Sequence, residues 1–350
     1  MMGYIKIKKR LIGENYPVFI VAELSANHNQ RLSTAVKTIK AMKAAGADAV
    51  KLQTYTPDTI TIDSDKRYFQ IKHGTMWDGR TLYQLYKSAY TPWEWQPKLK
   101  EIAEDLNLIC FSTPFDKTAV DFLEDIKVPA YKVASFEITD LPLIEYIASK
   151  NKPVILSTGI ATLGDIRSAV NACHKKGNQQ IALLKCTSEY PANPKDINLR
   201  NIPQLVKQFK TIVGLSDHTV GITVPVAAVA LGARIVEKHF ILDRKLGGPD
   251  ASFSLEPEEF KSMVKTIREA EDALGNDQYQ ITKGMKKSRC FSRSLFVVED
   301  IAAGETFNEK NIRSIRPGDG MHPQYYQKLI GRKAVKNILK GTPLDWKLVK

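Results

Sequence analysis

Ionisable and hydroxyl-bearing residues gather at the ends of eight short apolar runs in this 350-residue chain. The first run ends Glu23-Leu24-Ser25-Ala26-Asn27-His28, and the second contains Lys51 and Gln53. The third ends Ser112-Thr113-Pro114; the fourth holds Lys132 and continues to Ser135 and Glu137. The fifth ends Ser157-Thr158-Gly159, and the sixth ends Lys185-Cys186-Thr187-Ser188-Glu189-Tyr190. The seventh ends Ser216-Asp217-His218, and the eighth holds Glu237-Lys238-His239. Lysines set among serine and threonine hydroxyls make a site for an anion rich in acceptor oxygens. A phosphate and a carboxylate on one small molecule suit it. His218 and His239 end consecutive runs, so their imidazoles can converge. Two imidazoles, with other positions left to water and substrate, suit a divalent ion such as Mn²⁺. The helix-borne pattern H-E-x-x-H is absent, which argues against a zinc-protease site. Glu23 is a candidate general base for water. Asp217 reads as a residue that orients a metal ligand, not as a ligand itself.

Taken singly, each residue has an ordinary explanation. A strand lysine can face solvent, a histidine is usually structural, and a serine after a strand often caps the next helix. Taken together they need a common neighbour, because each unpaired buried charge costs roughly several kcal/mol.

The elements that must position them follow from the pattern. The runs are Val18–Leu24, Ala49–Tyr55, Leu108–Pro114, Ala130–Ser135, Pro153–Gly159, Ile181–Ser188, Thr211–His218 and Arg234–Phe240. Amphipathic stretches lie between them, among them Thr34–Ala45, Trp93–Leu106, Leu141–Ser149 and Val224–Leu231. Glycines at 46 and 232 read as helix ends leading into the next strand. Strands alternating with helices predict parallel βαβ units, and eight of them predict an α/β fold, a (β/α)8 TIM barrel of roughly 250 residues. In such barrels catalytic groups project from the C-terminal ends of the strands, where the polar residues stand here. The barrel is expected over residues 1–274, with a linker over 275–289 and a small mixed α+β domain over 290–350. The segment Thr56–Tyr90, carrying Tyr68, Phe69, His73, Trp77 and Tyr83, is an insertion after the second strand, expected to form a lid or part of the pocket.

Composition narrows the class. Apolar residues make up 43% and charged residues 25%, a globular balance that excludes disorder, collagen-like repetition and a coiled-coil rod. Lys plus Arg number 51 against 38 Asp plus Glu, a formal charge of +13, but no long basic block accompanies it. Small anionic substrates therefore fit better than nucleic acid or membrane. No apolar run reaches the roughly 18 residues of a spanning helix, and a cytoplasmic enzyme is expected. Cys110, Cys173, Cys186 and Cys290 lie far apart, without disulfide or zinc spacing, and Cys110 and Cys186 read as inert core residues. Two rivals stand beside an anion-handling synthase: a Schiff-base pyruvate aldolase using Lys132 or Lys185, and a carbohydrate- or ice-binding module built on the C-terminal region.

The strings Ile20-Val21-Ala22-Glu23-Leu24-Ser25-Ala26-Asn27-His28, Lys51-Leu52-Gln53-Thr54, Ser112-Thr113-Pro114-Phe115, Gly214-Leu215-Ser216-Asp217-His218-Thr219 and Glu237-Lys238-His239-Phe240 resemble the sialic acid (nonulosonic acid) synthase family. Arg293-Ser294-Leu295 through Arg316-Pro317-Gly318-Asp319-Gly320 resembles that family's antifreeze-like (SAF) domain. Lys51-Leu52-Gln53-Thr54-Tyr55-Thr56-Pro57-Asp58, Met76-Trp77-Asp78 and Ala134-Ser135-Phe136-Glu137 resemble its pseudaminic acid branch most closely. Phe136 and Ser188 stand where neuraminate synthases usually have Gly and Asn. The resemblance implies condensation of phosphoenolpyruvate with an acylated amino sugar and release of phosphate. It implies that Lys51, Thr113, Lys132, Ser135, Ser157, Ser188 and Ser216 hold phosphoenolpyruvate, with Glu23, Lys51 and Lys132 catalytic. It implies that His218 and His239 bind the metal (Mn²⁺ first, Mg²⁺ or Co²⁺ as alternatives), and that Gln53, Glu137, Tyr190 and Asp250 line the sugar pocket. Arg316 would reach that pocket from the partner subunit of a domain-swapped homodimer.

Overall fold

The computed structural model describes residues 3–72, 74–275 and 278–350. The N-terminal strands β1 (Ile5–Ile7) and β2 (Arg10–Ile12) form an antiparallel hairpin. The eight expected runs then become β3 (Phe19–Glu23), β4 (Ala49–Thr54), β5 (Ile109–Pro114), β6 (Tyr131–Val133), β7 (Val154–Ser157), β8 (Ile181–Cys186), β9 (Ile212–Asp217) and β10 (Ile235–His239). All eight are parallel, each pairs with the next, and β10 closes on β3. The register sets Glu23 level with both Lys51 and His239, and Ser216 level with both Cys186 and Glu237.

Alternation along each strand sends every second side chain into the barrel. At the N-terminal end those inward residues are apolar: Phe19, Ala49, Ile155, Ala182, Ile212 and Ile235 pack with Ile5, Ile7 and Ile12 of the hairpin. The hairpin thus plugs the floor. At about 1.5–3 kcal/mol for each buried aliphatic side chain, it contributes substantially to the core. The sequence pattern does not reveal this hairpin, because three-residue strands are too short to display a period.

The outward faces of the strands pack under helices. Leu32–Ala44 and Pro257–Leu274 cover β3 and β4 with Ile39, Met42, Phe260, Met263 and Ile267. After the helix Leu32–Ala44, Gly46 adopts φ +92°, a left-handed turn that a side chain would strain. The stretch expected as one helix at Trp93–Leu106 divides into a 3₁₀ turn, Trp93–Trp95, and the helix Gln96–Asp105, which has a proline in its first turn. The insertion folds as two short helices, Pro57–Ile60 and Leu82–Ala89, with a 3₁₀ turn at Arg67–Phe69. His73 lies outside the described residues.

The chain divides into two compact units, Met1–Gly275 and Asn276–Lys350. Asn276 and Asp277 lie outside the described residues. The segment read as a linker carries a helix, Lys283–Ser288, because Thr282 caps it by accepting from the Met285 N–H. The second unit pairs β11 (Ser294–Val297) with β12 (Ile312–Ile315) over its own core of Leu295, Val297, Phe307, Ile312, Leu329 and Leu344. Among the described residues no helix is long and apolar enough to cross a membrane.

Candidate active site

At the C-terminal ends of the barrel strands lies a cavity of about 310 Å³. Its base is a buried charge network. The Lys51 ammonium sits 2.9 Å from Glu23 Oε2 and 2.7 Å from Glu237 Oε1. Lys132 Nζ donates to Ser157 Oγ at 2.7 Å and stands 3.6 Å from Glu237. Ser216 Oγ donates to Glu237 Oε1 at 2.9 Å, and Gln53 Nε2 to Glu23 Oε1 at 3.1 Å. Burial alone would raise the Glu23 pKa; the neighbouring His239 and Lys51 outweigh it and hold the carboxyl well below its usual range. A carboxylate so stabilised is a weak base, so its strength is as a fixed negative charge and an acceptor. Lys132 is pulled below its ordinary value by burial, against the attraction of Glu237.

A hydroxyl cradle flanks the lysines. Ser135 Oγ lies 2.6 Å from Ser188 Oγ and accepts from the Ile160 N–H at 3.1 Å. Gly159 makes this approach possible: a Cβ there would stand 2.1 Å from Ser188 Oγ and 2.3 Å from Ser135 Oγ. Ser135 lines the cavity, whereas Ser188 backs it and acts on it through the Ser135 hydroxyl. Thr113 Oγ1 and Glu237 Oε2 are buried without a hydrogen-bond partner among the described residues, and both residues line the cavity. Buried polar atoms are seldom left unpartnered in a folded protein.

His218 and His239 converge as expected, with ring centroids 5.4 Å apart. His218 Nδ1 lies 2.9 Å from the Thr187 carbonyl, so the proton belongs on Nδ1 and the Nε2 lone pair is left for a ligand. His239 Nε2 faces Glu23 Oε2 at 3.1 Å, and its Nδ1 is buried without a hydrogen-bond partner, 3.7 Å from Asp250 Oδ2. Burial pulls His239 below its ordinary pKa, against the attraction of Glu23 and Asp250. Among the described residues no three His, Cys, Asp or Glu side chains are arranged to hold a metal. His218 and His239 nevertheless bring two imidazoles to one cavity, a donor pair that suits a divalent ion.

Above this base the wall changes character. Tyr190 packs on His218 at 4.4 Å between centroids and on Trp77 at 5.6 Å. Asp250 accepts from the Ser25 hydroxyl. Glu137 has one carboxylate oxygen buried and unpartnered among the described residues, and burial pushes its pKa up to about 7. The insertion supplies an apolar flank of Ile60, Leu85, Tyr86 and Ala89, joined by Tyr55 and Phe115. It is thus part of the pocket wall. Arg316 follows β12 in the second unit.

Several residues fall elsewhere than the sequence reading had them. Lys185 points outward from β8 and donates to the Cys186 carbonyl at 2.6 Å, away from the main cavity. Asp217 does not orient His218; it pairs with Lys238 and accepts from Thr219 on the outer face of the barrel. That role passes to the Thr187 carbonyl, because Asp217 and His218 point to opposite sides of the strand. Cys186, read as an inert core residue, lines the cavity 3.9 Å from His218 Nδ1. His28 is structural: it is buried against Thr91 and Trp95, and burial lowers its pKa to about 4. Glu237, the hub between Lys51, Lys132 and Ser216, has no role in the sequence analysis. Its inward register, two residues before His239, was the available signal. The apolar flank had none, because its residues come from short helices within an irregular segment.

The NeuB family model matches residues 38–279, and the SAF domain model matches residues 292–350. A pseudaminic acid synthase of Campylobacter jejuni is 49% identical over 327 residues, 93% of this chain and 95% of that protein. A pseudaminic acid synthase of Helicobacter pylori is 48% identical over 330 residues, 94% of this chain and 97% of its own length. Among solved structures, the N-acetylneuraminic acid synthetase of Leptospira borgpetersenii, in complex with citrate, superposes with a TM-score of 0.74 at 33% identity, covering 82% of this chain and 95% of that one. Matched along most of its length and nearly half identical to two of these relatives, the chain belongs to the NeuB family and carries a SAF domain at its C-terminal end.

Proposed function

We propose that this chain condenses phosphoenolpyruvate with 2,4-diacetamido-2,4,6-trideoxy-altrose and water, giving pseudaminic acid and inorganic phosphate. The observation that carries the reading is the convergence of Lys51, Lys132, the Ser135–Ser157–Thr113–Ser216 hydroxyls and two imidazoles in one cavity at one mouth of the barrel. The ammonium groups and hydroxyls hold the phosphate and carboxylate of phosphoenolpyruvate. Its C3 carbon attacks the aldehyde of the open-chain sugar, and the aldehyde oxygen becomes a hydroxyl. Water, held by the Glu23 carboxylate, adds to the cationic C2 and loses a proton. The tetrahedral product collapses to the ketone as the C2–O bond to phosphate breaks. Lys51 and Lys132 offset the growing charge on the leaving phosphate, in a site where few waters compete.

His218 and His239 would hold a divalent ion, Mn²⁺ by the softness of the donor set, with Mg²⁺ and Co²⁺ as alternatives. Bound there, the ion supplies Lewis-acid polarisation of a carbonyl oxygen. Gln53, Glu137, Tyr190 and Asp250 face the acceptor sugar. The apolar flank of Ile60, Leu85 and Ala89 favours an acceptor ending in a methyl group over N-acetylmannosamine, which ends in a hydroxymethyl group. A legionaminate-type acceptor remains the second reading, because it also ends in a methyl group. The enzyme works in the cytoplasm as a homodimer, in which Arg316 of the SAF domain serves the sugar pocket of the other copy.

Phosphate release from phosphoenolpyruvate, measured side by side with the altrose derivative, its mannose analogue and N-acetylmannosamine, tests the assignment. The altrose derivative is expected to give the highest kcat/KM; equal or higher turnover of N-acetylmannosamine overturns it. Borohydride trapping with pyruvate tests the aldolase, and absence of covalent labelling is expected.

A further inference from the structure

Four lysines in the barrel are buried: Lys51, Lys132, Lys185 and Lys238. Three of them stand within 4 Å of a carboxylate. Lys51 has Glu23 and Glu237, Lys132 has Glu237, and Lys238 has Asp217. Lys185 has none among the described residues. Its ammonium, on a side chain nine-tenths buried, meets only neutral acceptors, the Cys186 carbonyl at 2.6 Å and Thr187 Oγ1 at 3.1 Å. An ammonium has three N–H groups, so one remains to be directed elsewhere.

What Lys185 faces instead is a second cavity of about 230 Å³. Alternation along β8 explains its place. Ala182 and Leu184 point into the barrel, while Ile181 and Leu183 point into the helix layer, and Lys185 continues that outer row. The cavity opens between the helices Leu163–Lys175 and Asn201–Phe209. Asn201, Gln204 and Gln208 line its mouth with side-chain amides that no hydrogen bond among the described residues engages, and Thr158 stands at its inner wall. The fold gives its other buried lysines a counter-charge. Here it gives a hole rimmed by donors.

We infer that this cavity binds a small anion, a phosphate or a short carboxylate, with Lys185 as its counter-ion and the amides of Gln204 and Asn201 as further donors. The site is distinct from the catalytic pocket, since Lys185 lies on the opposite face of β8, and it does not depend on the acceptor sugar assigned above. Burial pulls the Lys185 ammonium below its ordinary pKa, and a bound anion offsets that penalty. The inner wall, Thr158-Gly159, belongs to the turn that carries the hydroxyl cradle on its other side, so occupancy can be felt at the catalytic pocket.

Calorimetric titration of the full chain with inorganic phosphate, repeated with malonate as a carboxylate probe, tests the site. Wild-type protein, without phosphoenolpyruvate or acceptor sugar, is expected to bind two anions saturably, one at the catalytic pocket and a second at Lys185. Lys185→Met should remove the second binding, and Gln204→Glu, at the exposed mouth, should weaken it at least fivefold by placing a negative charge there. Should Lys185→Met fold poorly, Gln204→Glu alone decides. No saturable second binding in the wild type, or isotherms that Gln204→Glu and a folded Lys185→Met leave unchanged, overturns the inference.

Discussion

The two ends of the barrel are built from the same eight strands and differ in almost everything else. Inward positions on β3 read Phe19, Val21, Glu23; on β8 they read Ala182, Leu184, Cys186; on β10 they read Ile235, Glu237, His239. At the floor these side chains pack on one another and on the hairpin plug. Two residues further along, a distance of roughly 6–7 Å, they become a network of paired charges around a cavity. The backbone is equivalent at both ends, so the contrast lies wholly in side-chain chemistry. Floor residues gain from excluding water. At the mouth Glu23, Lys51 and Glu237 hold one another ionised, and Thr113 and Glu237 each keep a buried polar atom without a partner among the described residues.

That contrast can be broken from either side. The largest effect is expected at the mouth. Lys132→Met and His218→Ala should each lower turnover by roughly 10²–10³ or more while the melting temperature stays within a few degrees. Chelation should likewise abolish activity, and Mn²⁺ should restore it; a fully active metal-free enzyme would refute the role of the two histidines. Glu23→Gln belongs to the same group, with steady-state kinetics as the readout. At the floor the signature reverses. Ile7→Ala should cost about 2–5 kcal/mol of stability in a denaturant titration, and kcat should be unchanged under native conditions. A loss of turnover without a loss of stability would mean that the plug does more than pack.

Smaller effects sharpen the boundary between base and flank. Leu85→Asn is expected to reduce the preference for a 6-deoxy over a 6-hydroxy acceptor by about tenfold in kcat/KM; an unchanged ratio removes the insertion from specificity. The least effect concerns pH. Glu137, beside Lys132, Asp140 and Tyr86, has its folded pKa raised by burial to about 7. A carboxyl raised in the folded state favours folding at low pH, and that contribution is lost as pH climbs from about 4.5 to 7. Glu137→Gln should therefore flatten the fall in melting temperature across that window. A fall of unchanged slope would assign it to another group.

The legibility of the fold was uneven for a physical reason. All eight barrel strands and most of their polar ends could be located, because buried parallel strands are short apolar runs separated by helices of recognisable period. The β1–β2 plug and the split at Trp95–Gln96 could not, because three-residue elements carry no period. Among site residues, those standing on strands, such as Lys51, Lys132 and His218, converge as expected. Asp217, adjacent in sequence to His218, turned out to serve Lys238 on the far side of the same strand, and Ser188 supports Ser135 from behind.

By itself the sequence determined the chemistry on offer: lysines, hydroxyls, carboxylates and two imidazoles, each at or near the C-terminal end of a strand. It also determined the alternation that makes a barrel close. Only the tertiary structure decided which partner each charge would have. Whether a strand residue faces the lumen or the helix layer depends on register against its neighbours, and whether it is paired depends on what stands level with it on strands far away in sequence, as Glu23 and His239 do. Lys51 and Lys185 are alike in sequence, each set in an apolar strand. One is held between two carboxylates at the centre of the site, and the other looks out on an open cavity, because barrel closure put them on opposite faces.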